Sequence, residues 1–155
     1  MALLNFAPSE GGKGLALILY DQGNSDALQL ATVDPATGRL TKLKSMSLGA
    51  GIAENAWYRL NLILSLNAPD LLTVSGSVFR HATPTDPNSP TGTQVGPELS
   101  FFGRLGALGL ETSGEVGIAA SAFSTNVNSS VTNWFVQQCG IHGEGTSAAC
   151  RWPVV

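Results

Sequence analysis

Residues 57–80 constrain the fold more tightly than any other stretch of the chain. Tyr58, Leu60, Leu62 and Leu64 alternate there with Trp57, Arg59, Asn61 and Ile63. Successive side chains of an extended chain point to opposite sides of the pleat, so this period of two predicts a strand with one apolar face. Leu66-Asn67-Ala68-Pro69-Asp70 then interrupts the pattern with a proline, which has no ladder donor, and with Asn and Asp, which suit turns. The alternation resumes with Leu72, Val74, Gly76 and Val78 set against Thr73, Ser75, Ser77 and Phe79, and closes on Arg80-His81. Together the two runs predict a meander hairpin with one dry face.

The flanking chain reads the same way. Residues 14–20 form a short apolar run, as expected of a strand buried on both sides. Residues 21–26 are a turn rich in Asx side chains, and residues 27–34 alternate again, with Leu28 and Leu30 set against Gln29 and Ala31. A tight turn at 35–39 leads to a returning strand at 40–48, and a glycine-containing connection at 49–56 enters the central hairpin. Residues 81–97 hold Pro84, Pro87, Pro90 and Pro97, which preclude a helix or a central strand. A strand at 98–104 follows. Residues 105–110 leave room for a helical turn, which Gly106 and Gly109 oppose. A strand rich in small residues spans 114–122, residues 126–130 turn the chain, and a last strand at 131–137 carries Trp134 and Phe135. With 18 glycines and only 12% charged residues, the composition is that of a β-rich, turn-rich chain. The fold class is an all-β antiparallel β-sandwich, one domain over 1–138 with an irregular tail over 139–155. At 155 residues such a domain buries about two-thirds of its unfolded surface without metal or disulfide help.

Charge narrows the partners. The net charge is −3, and the eight Lys and Arg residues are scattered. Lys42 and Lys44, which share one face of a regular strand, read as a solvated edge. Phosphate neutralisation needs a basic stripe, so nucleic acid is set aside. No apolar run approaches the roughly eighteen residues of a membrane span. Residues 1–8 carry no basic segment ahead of an apolar block and read as no signal peptide. Cys139 and Cys150 admit a disulfide worth about 2–3 kcal/mol to the tail. They also admit free thiols; with His142 they offer zinc only three ligands.

Several segments, taken in order, carry a resemblance. They are Trp57-Tyr58-Arg59-Leu60, then Leu72-Thr73-Val74-Ser75-Gly76-Ser77-Val78-Phe79, then Gly114-Glu115-Val116-Gly117-Ile118-Ala119-Ala120, then Ser130-Val131-Thr132-Asn133-Trp134-Phe135. This order resembles the laminin-G-like branch of the concanavalin A-like lectin/glucanase superfamily, over roughly residues 14–137. The resemblance implies a jelly-roll of two curved sheets and an extracellular setting. Its relatives include lectins, carbohydrate-binding modules, adhesion domains and polysaccharide-active enzymes. Such folds open with a strand that pairs with the closing one, and here only thirteen residues precede Gly14. Either residues 2–8 serve as that strand, or the sandwich lacks its first strands and leaves an edge or face for a second copy, as in a homodimer.

Candidate site residues fall in two groups. Trp57, Arg59 and Asn61 share a strand face, and Arg80 and His81 end the partner strand. These five form the candidate ligand-binding set, with Trp57 either a stacking platform for a sugar ring or a core anchor. Trp134 is a second stacking candidate. Asp21, Asn24 and Asp26 supply hard oxygens within one loop, which suits calcium. The same residues equally suit an Asx-stabilised turn. Asp86 and Asn88 form a second oxygen pair. Glycosidase chemistry needs two carboxylates about 5–9.5 Å apart across the sugar. The Glu-x-Asp-x-x-Glu pattern of the glucanase branch is missing, and Glu98, Glu111 and Glu115 put no pair on one strand face. Lyase chemistry would draw on Arg59, Asn61, Arg80 and His81, without a tyrosine on that face. No Gly-x-Ser-x-Gly elbow occurs. The first expectation is therefore a non-catalytic, glycan-binding module. Its alternatives are an assembly domain that self-associates through a sheet edge or face, and a polysaccharide-active lyase or glycosidase.

Overall fold

A computed structural model of the chain describes residues 2–6, 12–20, 25–49, 51–53, 56–82, 92–111 and 115–118. In chain order the strands are β1 (Ala2–Phe6), β2 (Gly14–Tyr20), β3 (Asp26–Val33), β4 (Leu40–Gly49), β5 (Trp57–Ala68), β6 (Leu71–His81), β7 (Thr93–Gln94) and β8 (Leu99–Arg104). One helical turn, α1 (Leu105–Leu108), and a final strand, β9 (Glu115–Ile118), complete them. The first sheet runs β4-β3-β2-β1-β9. In the second, β5 pairs with one side of β6, while β7 and β8 share its other side. Every pairing is antiparallel. The expected turn at 126–130, strand at 131–137 and tail at 139–155 lie outside the described residues.

The two sheets face each other across one apolar core. Leu15 and Leu17 of β2 and Leu28 and Leu30 of β3 meet Leu72, Val74 and Val78 of β6 and Leu99 of β8. Tyr58, Leu60, Leu62 and Leu64 of β5 pack against this cluster, as their alternation requires. Burying each such Leu or Val contributes about 1.5–3 kcal/mol. The sheets approach closely at Gly76, where a β-carbon would stand 2.6 Å from Leu17 Cδ1. On the opposite side of the first sheet, Ala16, Ile18, Ala31 and Val33 form a second buried cluster. Both faces of β2 are thus dry, in keeping with its unbroken apolar run. The architecture is an antiparallel β-sandwich.

Residues 2–6 form the opening strand, inserted between β2, with Ala2 opposite Leu17, and β9, with Ala2 opposite Ile118. Two local departures from a regular ladder redirect side chains. In β4 the register shifts so that Ala31 lies opposite Lys42 while its neighbour Leu30 lies opposite Lys44. The extra residue, Leu43, is a β-bulge, and it places the two lysines on opposite faces rather than on one. Lys44 turns inward across the sandwich, and its Nζ donates to the Ser100 carbonyl of β8 at 2.6 Å. In β5 the extra residue is Asn67, between the pairs Leu66–Leu72 and Ala68–Leu71. It leaves a two-residue turn at 69–70.

The helical turn forms despite its glycines. The Leu105 amide donates to the Asp70 carbonyl, and the Leu110 amide donates back to the Leu105 carbonyl. Gly109 ends the turn at φ 69°, a left-handed conformation that glycine adopts without a side-chain penalty. Gly109 is therefore the cap rather than a breaker. Leu105 and Leu110 close the end of the core, and the Lys13 amide donates to the Gly109 carbonyl to anchor the approach to β2.

Candidate functional site

The outward face of the second sheet collects most of the candidate ligand-binding residues. Trp57, Arg59 and Asn61 lie along β5 opposite His81, Phe79 and Ser77 of β6. Cross-strand partners project to the same side, so these six side chains form two facing columns. The Arg59 guanidinium sits over the Phe79 ring, 4.8 Å from its centroid, as a cation–π pair. Trp57, Arg59, Asn61 and Phe79 are half-buried, while Ser77 and His81 are buried. Trp57 belongs to neither apolar cluster of the sandwich. Its ring is part of the outward surface.

Arg80 does not join them. It lies opposite Tyr58, on the core-facing side of β6, and reaches solvent only because it stands beyond the packed part of the core. Of the five-residue candidate set, Trp57, Arg59, Asn61 and His81 share the outward face, and Arg80 is corrected to the other side. The reason is parity: Arg80 shares its side of the strand with Val78 and Val74, whose burial fixes which way β6 faces.

Phe79 and Ser77 were not among the sequence candidates. Phe79 carried a readable signal, since it is the one bulky aromatic in an otherwise Ser/Thr column of β6. Ser77 carried none. The partner of His81 was equally unreadable. Gly92, at φ +128°, lies so close that a β-carbon there would be 2.6 Å from His81 Nε2.

A cavity of about 460 Å³ opens at this end of the hairpin, lined by Ala56, Arg80, His81, Ala82 and Thr93. The neighbouring connection into β5 is held from both sheets. The Ala53 amide donates to the Tyr58 hydroxyl at 2.7 Å, and the Ile52 amide donates to Asp26 Oδ2 at 2.9 Å.

That second bond bears on the oxygen loop at 21–26. Asp26 is fully buried at the start of β3, with Oδ2 directed to the backbone of the 51–53 segment. Asp21 and Asn24 lie outside the described residues, as do Asp86, Asn88, Trp134, Cys139, His142 and Cys150. Among the described residues no group of three His, Cys, Asp or Glu side chains is placed to hold a metal ion. No helix among them is long and apolar enough to cross a membrane.

No protein-family model, curated protein or solved structure significantly matches the chain.

Proposed function

We propose that the chain is a non-catalytic, glycan-binding β-sandwich module, of the jelly-roll kind that the laminin-G-like resemblance implies. One observation carries the reading: an aromatic, guanidinium and amide row made by Trp57, Phe79, Arg59 and Asn61 on one outward sheet face. The C–H face of a pyranose is apolar and packs on aromatic rings, while its equatorial hydroxyls need forked donors and acceptors. Trp supplies the first, and Arg and Asn supply the second. Strands hold such a row more rigidly than a loop would, which reduces the ordering cost of binding. The reading brings with it an extracellular setting.

Tryptophan fluorescence titration with a panel of neutral hexasaccharides (cellohexaose, laminarihexaose, galactohexaose) tests it. The expected result is saturable quenching by at least one member, weakened at least tenfold in Trp57→Ala and in Asn61→Ala with circular dichroism unchanged. Binding that survives both substitutions, or no binding across the panel, overturns the proposal.

A second reading has its own observation. Ile63 and Phe102, on the same outward face, are 58% and 69% exposed. Large apolar side chains presented together suit a homodimer formed through the sheet face. Light scattering decides between the two: a dimer that Phe102→Asp converts to a monomer supports assembly, and a monomer at all concentrations removes it.

A further inference from the structure

We propose that the cleft at the end of β6 is an anion subsite, which takes the carboxylate or sulfate group of an acidic sugar residue. This rests on the glycan-binding reading and specifies its ligand class. The volume of about 460 Å³ lies in the range of roughly 300–1,000 Å³ typical of small-molecule sites. Its described lining holds one formal charge, Arg80, beside the His81 imidazole and the Thr93 hydroxyl, and no carboxylate. Arg80 is exposed and makes no ion pair among the described residues, whose one salt bridge joins Arg104 to Asp70 at the far end of the hairpin. An exposed guanidinium at the mouth of a cleft presents a planar fork of donors, the geometry that carboxylate and sulfate oxygens accept in pairs.

Two further features make this a shaped site rather than a lone surface arginine. Ala56 and Ala82 keep the walls small, so the space beside the guanidinium stays open. Gly92 closes over the His81 imidazole, and no other residue fits there without displacing it. His81 lines the cleft and also pairs with Trp57 on the outward face, so it borders both the cleft and the aromatic row. In the proposed mode a glycan resting on Trp57 extends its next, charged residue past His81 to Arg80 at the end of the hairpin. The chain carries a net charge of −3, which repels polyanions at long range. Selectivity for an acidic glycan must come from this local cluster.

The test is calorimetric titration of the full chain with three galactose-based probes: galactohexaose, hexagalacturonate and a sulfated carrageenan hexasaccharide. The expected result is at least tenfold tighter binding of one or both charged probes than of the neutral one. Arg80→Gln and 0.5 M salt should each abolish that advantage, while Arg80→Gln leaves the neutral probe unchanged. Whichever charged probe wins names carboxylate or sulfate as the group bound. Equal affinity for all three probes overturns the subsite and leaves the glycan-binding reading standing. A charged preference that survives Arg80→Gln also overturns the subsite alone. No binding of any probe overturns both.

Discussion

Phe79 and Arg80 are consecutive residues with opposite fates, one stacked under Arg59 on the outward face, the other turned toward the core side and out at its rim. At this scale single side chains hold single pieces of backbone. Asp26 is the clearest case, because its buried Oδ2 accepts the Ile52 amide at 2.9 Å and fixes the entry to β5. Asp26→Ala leaves that donor without its partner and is expected to cost about 1–3 kcal/mol. Asp26→Asn keeps an acceptor and should cost less, and urea denaturation with an unchanged m-value reads the difference. Gly92 makes a second prediction. Its φ of +128° suits glycine alone, and an added β-carbon would meet His81 Nε2 at 2.6 Å. Gly92→Ala is expected to destabilise by about 1–3 kcal/mol and to shift the His81 imidazole resonances in an NMR spectrum with only two histidines to assign.

Between elements, the turn at 69–70 and the turn of helix after β8 are tied by two interactions of unequal weight. Arg104 Nη1 donates to both Asp70 oxygens at 2.9 Å, but the pair is 68% and 49% exposed. Solvent screens such a pair, so Asp70→Ala is expected to change stability by less than about 1 kcal/mol. Leu105 is buried in the core and its side chain has no water to fall back on. Leu105→Ala is expected to cost about 2–5 kcal/mol, and thermal unfolding of the two variants side by side checks the contrast. Apolar pattern made most of these elements legible in the sequence: β3, β5 and β6 stand where the period of two places them, and β2 where its unbroken apolar run does. What it could not show was the bulge at Leu43 and the extra residue at Asn67. One inserted residue changes no count of apolar positions, yet it decides which neighbour lies across the ladder. Were Asn67 paired in the ladder instead of bulged, a turn at 69–70 would set Arg59 opposite Arg80 instead of Phe79. The bulge likewise puts Lys42 and Lys44 on opposite faces instead of one, although both are exposed on an edge strand as expected. Of the candidate site, the Trp57, Arg59 and Asn61 column was readable from β5 alone. The placement of Gly92 on His81 was not, since no periodicity links the two residues.

For the whole molecule, β1 carries no periodic signal because its place depends on backbone pairing, which every residue type can supply. Yet it joins β2 to β9 and so completes the first sheet. Removing residues 2–6 strips the pairing from Leu15, Ala16 and Leu17 of β2 and separates β9 from the sheet. Hydrogen exchange is expected to show faster exchange across β2, with the β5–β6 hairpin less affected; uniform protection in the truncated chain would contradict this. The same adjacency has a consequence during synthesis. Of the strands described, β1 is made before the rest and must wait for Ile118, a delay of roughly 6–23 s at elongation rates of about 5–20 residues per second. Through that interval β1 stands at an incomplete sheet edge, open to a neighbouring nascent chain. The chain's yield in a cell therefore depends on how quickly translation reaches residue 118, and slow codons between β2 and β9 would lower it.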